Sequence, residues 1–354
     1  MKNRPMTRTI LCTMAAIMLS ACNSDVLLDE EPSTVDSPVA IGFGNGYVDN
    51  AIGTRAATYQ LNDYAQTMGV WGWQKDRMEV ETQIFRNHLI EYNSDKWIYA
   101  PLRYWETASH YRFYAYAPHY TCQKNGNATI ALDQNTGMIS ISGVTLKGDN
   151  LQEEAPSKEL KKTFINATND VDWMVARAGQ TAVGETHSTV GFTMQHVLSK
   201  LNARIRLSEV LTTDADIKEI RINSMTVDKL AAEGSFIQKH TATQGVKGIE
   251  DEWTTGKAAL TLNGAKDVAA TTGWTYVLES LLIPQAMPAV SELTLVYSFA
   301  FSDGRTEYYT YRMALNEIFC NITHFISGNS YTVSITIAPD IIKFDTDVTN
   351  WTDI

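Results

Sequence analysis

The chain has 354 residues and is acidic, with 40 Asp and Glu against 29 Lys and Arg and a formal charge of −11. Setting aside the basic start at Lys2, Arg4 and Arg8 leaves 26 basic residues facing 40 acidic ones. That balance argues against nucleic acid or an anionic lipid surface as partner, since both need a basic face. The length suggests about two domains.

The first element is an apolar run, "TILCTMAAIMLSA", Thr9 to Ala21, behind the basic start. It is too short to span a bilayer comfortably and ends in small residues, as a secretory signal peptide does, so residues 1–21 read as a removed leader. The leader ends in "LSAC", Leu19 to Cys22. Leu three positions before a cysteine, with small residues between, is a bacterial lipobox. Its peptidase needs small residues, and the Cys22 thiol takes a diacylglyceryl group. Acyl chains then give an anchor that holds without a spanning helix.

From Cys22 to about Pro38 the chain is acidic and contains Pro and Ser, the composition of a solvated tether. Next comes "VAIGF". Val39, Ile41 and Phe43 fall on one face of a strand, with Ala40, Gly42 and Gly44 opposite. Arg55 follows, alone among Gly53, Thr54, Ala56 and Ala57, small neighbours that let an extended chain enter a protease cleft. Residues 22–55 therefore read as a tether and a releasable N-terminal strand, and 56–185 and 186–354 as two β domains. A boundary falls in the small, polar, Gly-containing stretch at 176–187.

Most of the remaining chain alternates with period two, the pattern of half-buried strands. "HYRFYAYAP" sets Tyr111, Phe113 and Ala115 on one face, and "ARIRL" sets Ala203, Ile205 and Leu207 opposite Arg204 and Arg206. "LTLVYSFAF" aligns Leu293, Leu295, Tyr297, Phe299 and Phe301; "YTVSITI" aligns Tyr331, Val333, Ile335 and Ile337. Turn residues separate these runs at "KNGN" (124–127), "SDG" (302–304) and "SGNS" (327–330). One helix is expected, at 153–164, with Ser157 as cap. Many short strands with turns between them predict an all-β fold of antiparallel sandwiches.

Chemistry-bearing motifs are scarce. The seven histidines form no HxH or HExxH pair, and there is no CxxC, so no metal or cofactor site is expected. There is no GxSxG elbow or phosphate loop; "IGFGNGY" (41–47) lacks the following Lys-Ser/Thr and the helix. Asp345 and Asp347 lack the Gly and distal Glu of a calcium loop, and the pair Glu153 and Glu154 reads as solvated charge. No catalytic residue is expected. After leader removal and lipidation only Cys122 and Cys320 remain, either as one disulfide or as two buried thiols. Trp71, Trp73, Trp97, Tyr99, Tyr104 and Trp105 are either sandwich core or a platform for sugar rings.

The order of motifs carries a further signal: lipobox, short strand, "TRAA", "MGVWGW", "KWIYAPLRYWETASHYRFYAYAP", "DVDWMVARA", "FTMQHVLSKLNARI", "YVLESLLIPQ", "GNSYTVSITI" and "IKFDTDVTNW". This series resembles the fimbrillin-like lipoproteins of Bacteroides and relatives, subunits of type V pili, over nearly all of the mature chain. The resemblance implies two transthyretin-like antiparallel β-sandwich domains and a lipidated precursor carried to the outer-membrane surface. It implies an arginine-specific surface protease that cuts after Arg55, leaving Ala56 as the new N-terminus and freeing the strand with Val39, Ile41 and Phe43. It implies other pilus subunits as partners through β-strand addition, in a fimbrium serving adhesion. Ile342, Phe344, Val348 and Trp351 are then either the donor strand or the last strand of their own domain. The alternatives are a surface glycan-binding lipoprotein and, further off, a hydrolase.

Overall fold

The computed structural model describes residues 38–44, 47–48, 59–63, 65–122, 128–150, 170–176, 180–184, 189–239 and 251–351. The alternating segments are strands, and among the described residues the helices are single turns, as at Glu209–Thr212 and Leu315–Ile318. The segments expected as leader, lipid site, cut site and helix, including Cys22, Arg55, Ala56 and 153–164, lie outside the described residues.

The first sheet runs, in spatial order, through Tyr59–Gln60, Tyr47–Val48, Thr193–His196, Met174–Ala176, His110–Ala117, Thr67–Lys75, Glu81–Asn93 and Lys96–Ile98, with Gln180–Val183 also paired to His110–Ala117. Its pairs are antiparallel except Tyr47–Val48 beside Thr193–His196, which run parallel. Tyr111, Phe113 and Ala115 point into the core as their spacing predicts. Gly69 lies where Tyr116 presses on the backbone: a Cβ there would sit 2.1 Å from the Tyr116 ring.

Two further sheets dominate the second half. One orders Thr275–Leu282, Ser199–Leu207, Asn329–Ile337 and Ile342–Asn350; the other orders Ala259–Asn263, Ile217–Ala231, Glu292–Phe301 and Thr306–Ala314. Ala203, Ile205, Leu207, Leu293, Leu295, Tyr331, Val333, Ile335 and Ile337 are all buried in one apolar cluster. Tyr297, Phe299 and Phe301 share the Leu293 face but are only half-buried, where that face opens towards solvent. A four-stranded sheet pairs Thr129–Leu132 and Ile139–Thr145 with Glu233–Ile237 and Glu252–Thr255.

Sheet membership thus crosses position 185. Thr193–His196 completes the first sheet, and Ile139–Thr145 pairs with a strand of the second half. Composition marks polar stretches but carries no record of which distant strand a segment pairs with. The turn at Ser302–Gly304 places Gly304 at φ +89°, a left-handed conformation that glycine adopts without a Cβ clash. Cys320 is an exposed free thiol rather than a buried one, since it follows the short helix on its solvent side. Among the described residues no helix is long and apolar enough to cross a membrane.

Candidate functional site

The segment 39–44 lies between two stretches of chain that come from far along the sequence. On one side Ile41 N–H donates to Arg103 O (2.8 Å) and Trp105 N–H donates to Val39 O (2.9 Å). On the other, Gly44 N–H donates to Val190 O and Val190 N–H donates to Gly42 O, both at 2.9 Å. Tyr99 Oη donates to Ile41 O at 2.8 Å. Isolated bridges join Ala40 to Tyr104, and Phe43 to both Trp97 and Val190. The backbone is therefore satisfied from both flanks, as an interior strand requires.

The side chains explain why this strand belongs there. Ile41 is 1% and Phe43 6% exposed. The Phe43 ring sits among Phe85 (5.5 Å), Tyr99 (5.6 Å) and Phe113 (6.1 Å) edge-on, with Phe192 stacked at 6.3 Å. Edge-to-face and offset packing of this kind adds to the burial term. Burying these two side chains is worth roughly 1.5–3 kcal/mol each. A Cβ at Gly44 would stand 2.8 Å from Thr189 Cγ2, so the exposed Thr189 side chain would have to shift to admit one.

Val39 does not share this burial. It is 41% exposed, although the alternation places it on the same face as Ile41 and Phe43. Its carbonyl is held by Trp105 N–H, but it sits at the rim, where the cluster around Phe43 no longer reaches. The inserted pair is Ile41 and Phe43.

The tryptophans expected as core or sugar platform are core. Trp71, Trp73, Trp97 and Trp105 are all buried. Trp97 and Trp105 lie beside the 39–44 segment, and their buried Nε1 atoms have no acceptor among the described residues. Tyr99 is half-buried, and that burial chiefly pushes its pKa up; Tyr104 is exposed. Tyr99, noted in the sequence as core or platform, is a groove residue; Val190 and Phe192 are groove residues that spacing along the chain did not single out, because each is distant in sequence from residues 39–44.

Beyond Phe43 the chain continues through Tyr47–Val48, paired to Thr193–His196, and returns as Tyr59–Gln60 against Tyr47–Val48. Arg55 falls in sequence between these two paired strands. The covalent link from the inserted strand to the rest of the fold therefore passes through Arg55.

At the other end, Ile342–Asn350 pairs antiparallel with Asn329–Ile337 along its full length, Ile342 to Ile337 through Asn350 to Asn329. It is the edge strand of its sheet. Ile342 and Phe344 are half-buried, Phe344 lying against Tyr311 with ring centroids 5.4 Å apart, and Val348 is exposed. Trp351 is fully buried, stacked at 4.0 Å on His196, whose Nδ1 hydrogen-bonds Asp172 at 2.9 Å. The Lys200 ammonium lies 5.4 Å from the Trp351 ring and pairs with Glu279 at 3.0 Å, both side chains being buried. Among the described residues no group of three His, Cys, Asp or Glu is placed to hold a metal ion.

A nearly all-β molecule built of mainly antiparallel sheets, with parallel pairs at Tyr47–Val48 beside Thr193–His196 and Ser199–Leu207 beside Asn329–Ile337 and a short segment slotted beside the first sheet, is the class these observations define. The model of the family described as fimbrillin-like matches residues 54–351, and the chain belongs to that family. Among solved structures, a fimbrial protein from Bacteroides vulgatus is similar at 16% identity and a TM-score of 0.59, covering 88% of this chain and 99% of that one. A Bacteroides uniformis protein named for cell adhesion is 17% identical over 90% of this chain and 99% of that one, with a TM-score of 0.49. A fimbrial assembly protein from Parabacteroides distasonis is 12% identical over 89% and 100%, with a TM-score of 0.36. No curated protein matches the chain.

Proposed function

We propose that this chain is a structural subunit of a cell-surface pilus, exported as a lipoprotein on Cys22 and assembled by protease-triggered strand exchange, in a fimbrium serving adhesion. The observation that carries this is the seating of Ile41 and Phe43 in a groove between 97–105 and 189–192, while the chain leaving the groove runs through Arg55. An arginine-specific surface protease cutting after Arg55 turns a tethered plug into a separate peptide. Tethering holds such a segment at an effective concentration of order millimolar, and cutting removes that advantage. Its departure opens an apolar furrow flanked by unpaired strand edges, a surface that another strand must cover. A strand from the next subunit, with apolar residues two apart, satisfies that need by backbone pairing and side-chain insertion.

Within this reading the C-terminal strand is the candidate donor. Ile342 and Phe344 repeat the two-residue spacing of Ile41 and Phe43. To serve, Ile342–Asn350 must leave its place beside Asn329–Ile337 and withdraw Trp351 from His196.

N-terminal sequencing of the surface-assembled form tests the proposal. Assembled protein begins at Ala56, and Arg55→Ala leaves lipidated precursor on the surface with no detergent-resistant ladder. Polymer formed equally well by Arg55→Ala, or assembled chains that begin at Cys22, would sink strand release.

A further inference from the structure

Ser199–Leu207 buries Ala203, Ile205 and Leu207 on one face and turns Arg204 and Arg206 to the other. The register puts Tyr276 directly beside Arg204, and both Tyr276 and the preceding Trp274 are exposed, Trp274 by 37%. The two guanidinium carbons lie 4.6 and 4.4 Å from the Trp274 ring. Each arginine commits its Nε to a neighbouring strand: Arg204 donates to Ser334 Oγ at 2.9 Å and Arg206 to Thr336 Oγ1 at 3.2 Å.

Neither arginine is paired with a carboxylate among the described residues, whereas Arg112, Arg221, Arg305 and Arg312 each reach one. Arg77, Arg86 and Arg103 also lack a carboxylate partner among the described residues; what sets Arg204 and Arg206 apart is the Trp274 ring that they share. Asp345 shares the face opposite Ser334, two strands from Arg204, a separation of about 10 Å from strand spacing. Lys343, opposite Thr336, adds a third positive charge on the Arg206 side.

We propose that this face binds a carboxylated saccharide. The hydroxyls of Ser334 and Thr336 fix the Nε side of each guanidinium, so the terminal nitrogens present a preformed fork. A fork of that shape receives a carboxylate through two parallel hydrogen bonds. Trp274 gives its ring to the two guanidiniums and so holds them side by side, while the exposed Tyr276 beside Arg204 offers an aromatic ring to the C–H face of a pyranose, the part of a sugar that hydroxyls leave uncovered. Charge selects an anion, and the Tyr276 ring selects a sugar ring over an extended peptide. Arg204, Arg206 and Tyr276 sit on Ser199–Leu207 and Thr275–Leu282, which the release of residues 39–44 leaves in place, whereas donation of Ile342–Asn350 would take Lys343 out of the site.

The test is calorimetric titration of the soluble chain with a galacturonic acid oligosaccharide, a neutral maltose oligosaccharide of matching length, and polyglutamate. The acidic sugar binds, more weakly as salt rises, and the neutral sugar does not. Arg204→Gln and Arg206→Gln each reduce affinity by roughly tenfold or more, as for the loss of a charge-assisted hydrogen bond. Arg206→Lys keeps the charge but not the fork and also weakens binding. Trp274→Ala removes an exposed side chain and so keeps the fold testable if the arginine variants lose stability; it too lowers affinity. Absence of binding by the acidic sugar overturns the proposal. Polyglutamate binding as tightly, with Trp274→Ala without effect, also overturns it and marks an acidic peptide site instead.

Discussion

The two ends of the described chain carry the same short pattern and are held in opposite ways. Ile41 and Phe43 stand two apart in a segment bonded on both flanks, with Phe43 inside an aromatic cluster. Ile342 and Phe344 stand two apart in an edge strand that pairs on one side only, with both side chains half-buried. The N-terminal strand is held mostly by its side chains; the C-terminal strand is held by its nine-residue ladder and by one anchor, Trp351. Removing an interior strand opens a core, whereas removing an edge strand uncovers one ladder and moves the edge inward by one place. The first needs a replacement strand; the second needs its anchor released.

The largest effect that can break this comparison is Phe43→Ala in the uncut chain, expected to cost about 3–5 kcal/mol in a denaturant titration. A loss below about 1 kcal/mol would show that the segment is not a core strand. At the other end the cost concentrates at the tip: Trp351→Ala is expected to cost about 3 kcal/mol and Phe344→Ala about 1–2 kcal/mol, because only half of the Phe344 ring leaves solvent. Equal losses at the two positions would remove the idea of a single anchor.

Acid acts on the N-terminal side. His119 is buried beside Thr67 and Asn87, and burial holds its pKa below the ordinary 6.5. The unfolded chain then binds more protons than the folded one near and below that value. The contribution is fully present above the ordinary histidine range and is lost as pH falls through it. The slope from this one group cannot exceed about 1.4 kcal/mol per pH unit. Thermal unfolding between pH 7.5 and 5 should show it, and His119→Gln should flatten it. The smallest effect is at the rim: Val39→Ala should change stability by less than about 0.5 kcal/mol, as for an exposed position. A cost comparable to that of Phe43→Ala would place Val39 inside the groove after all.

Part of this was legible in the residues. Tyr331, Val333, Ile335 and Ile337 alternate with Thr and Ser, and every one of the four is buried. The exposed Arg206 opposite buried Ile205 follows from the same rule. The groove was only half legible. The pattern V-x-I-x-F marks a face, but it does not say that Trp105 and Val190, more than sixty residues apart from each other in sequence, supply the two flanks. Nor did the aromatic run at 97–105 say which rings face water: its two tryptophans are packed inside, as are Trp71 and Trp73, while Tyr104 and, far along the chain, Trp274 and Tyr276 are exposed.

The sequence by itself determined that this is a β protein, which residues share a face, and, through the order of its motifs, the family to which it belongs. These are local properties, since period two and turn residues act over a few positions. Only the tertiary structure decided the depth of each face. The same I-x-F spacing is an interior plug at Ile41 and Phe43 and a lightly covered edge at Ile342 and Phe344, because burial is set by the strands on either side, and those arrive from elsewhere in the chain.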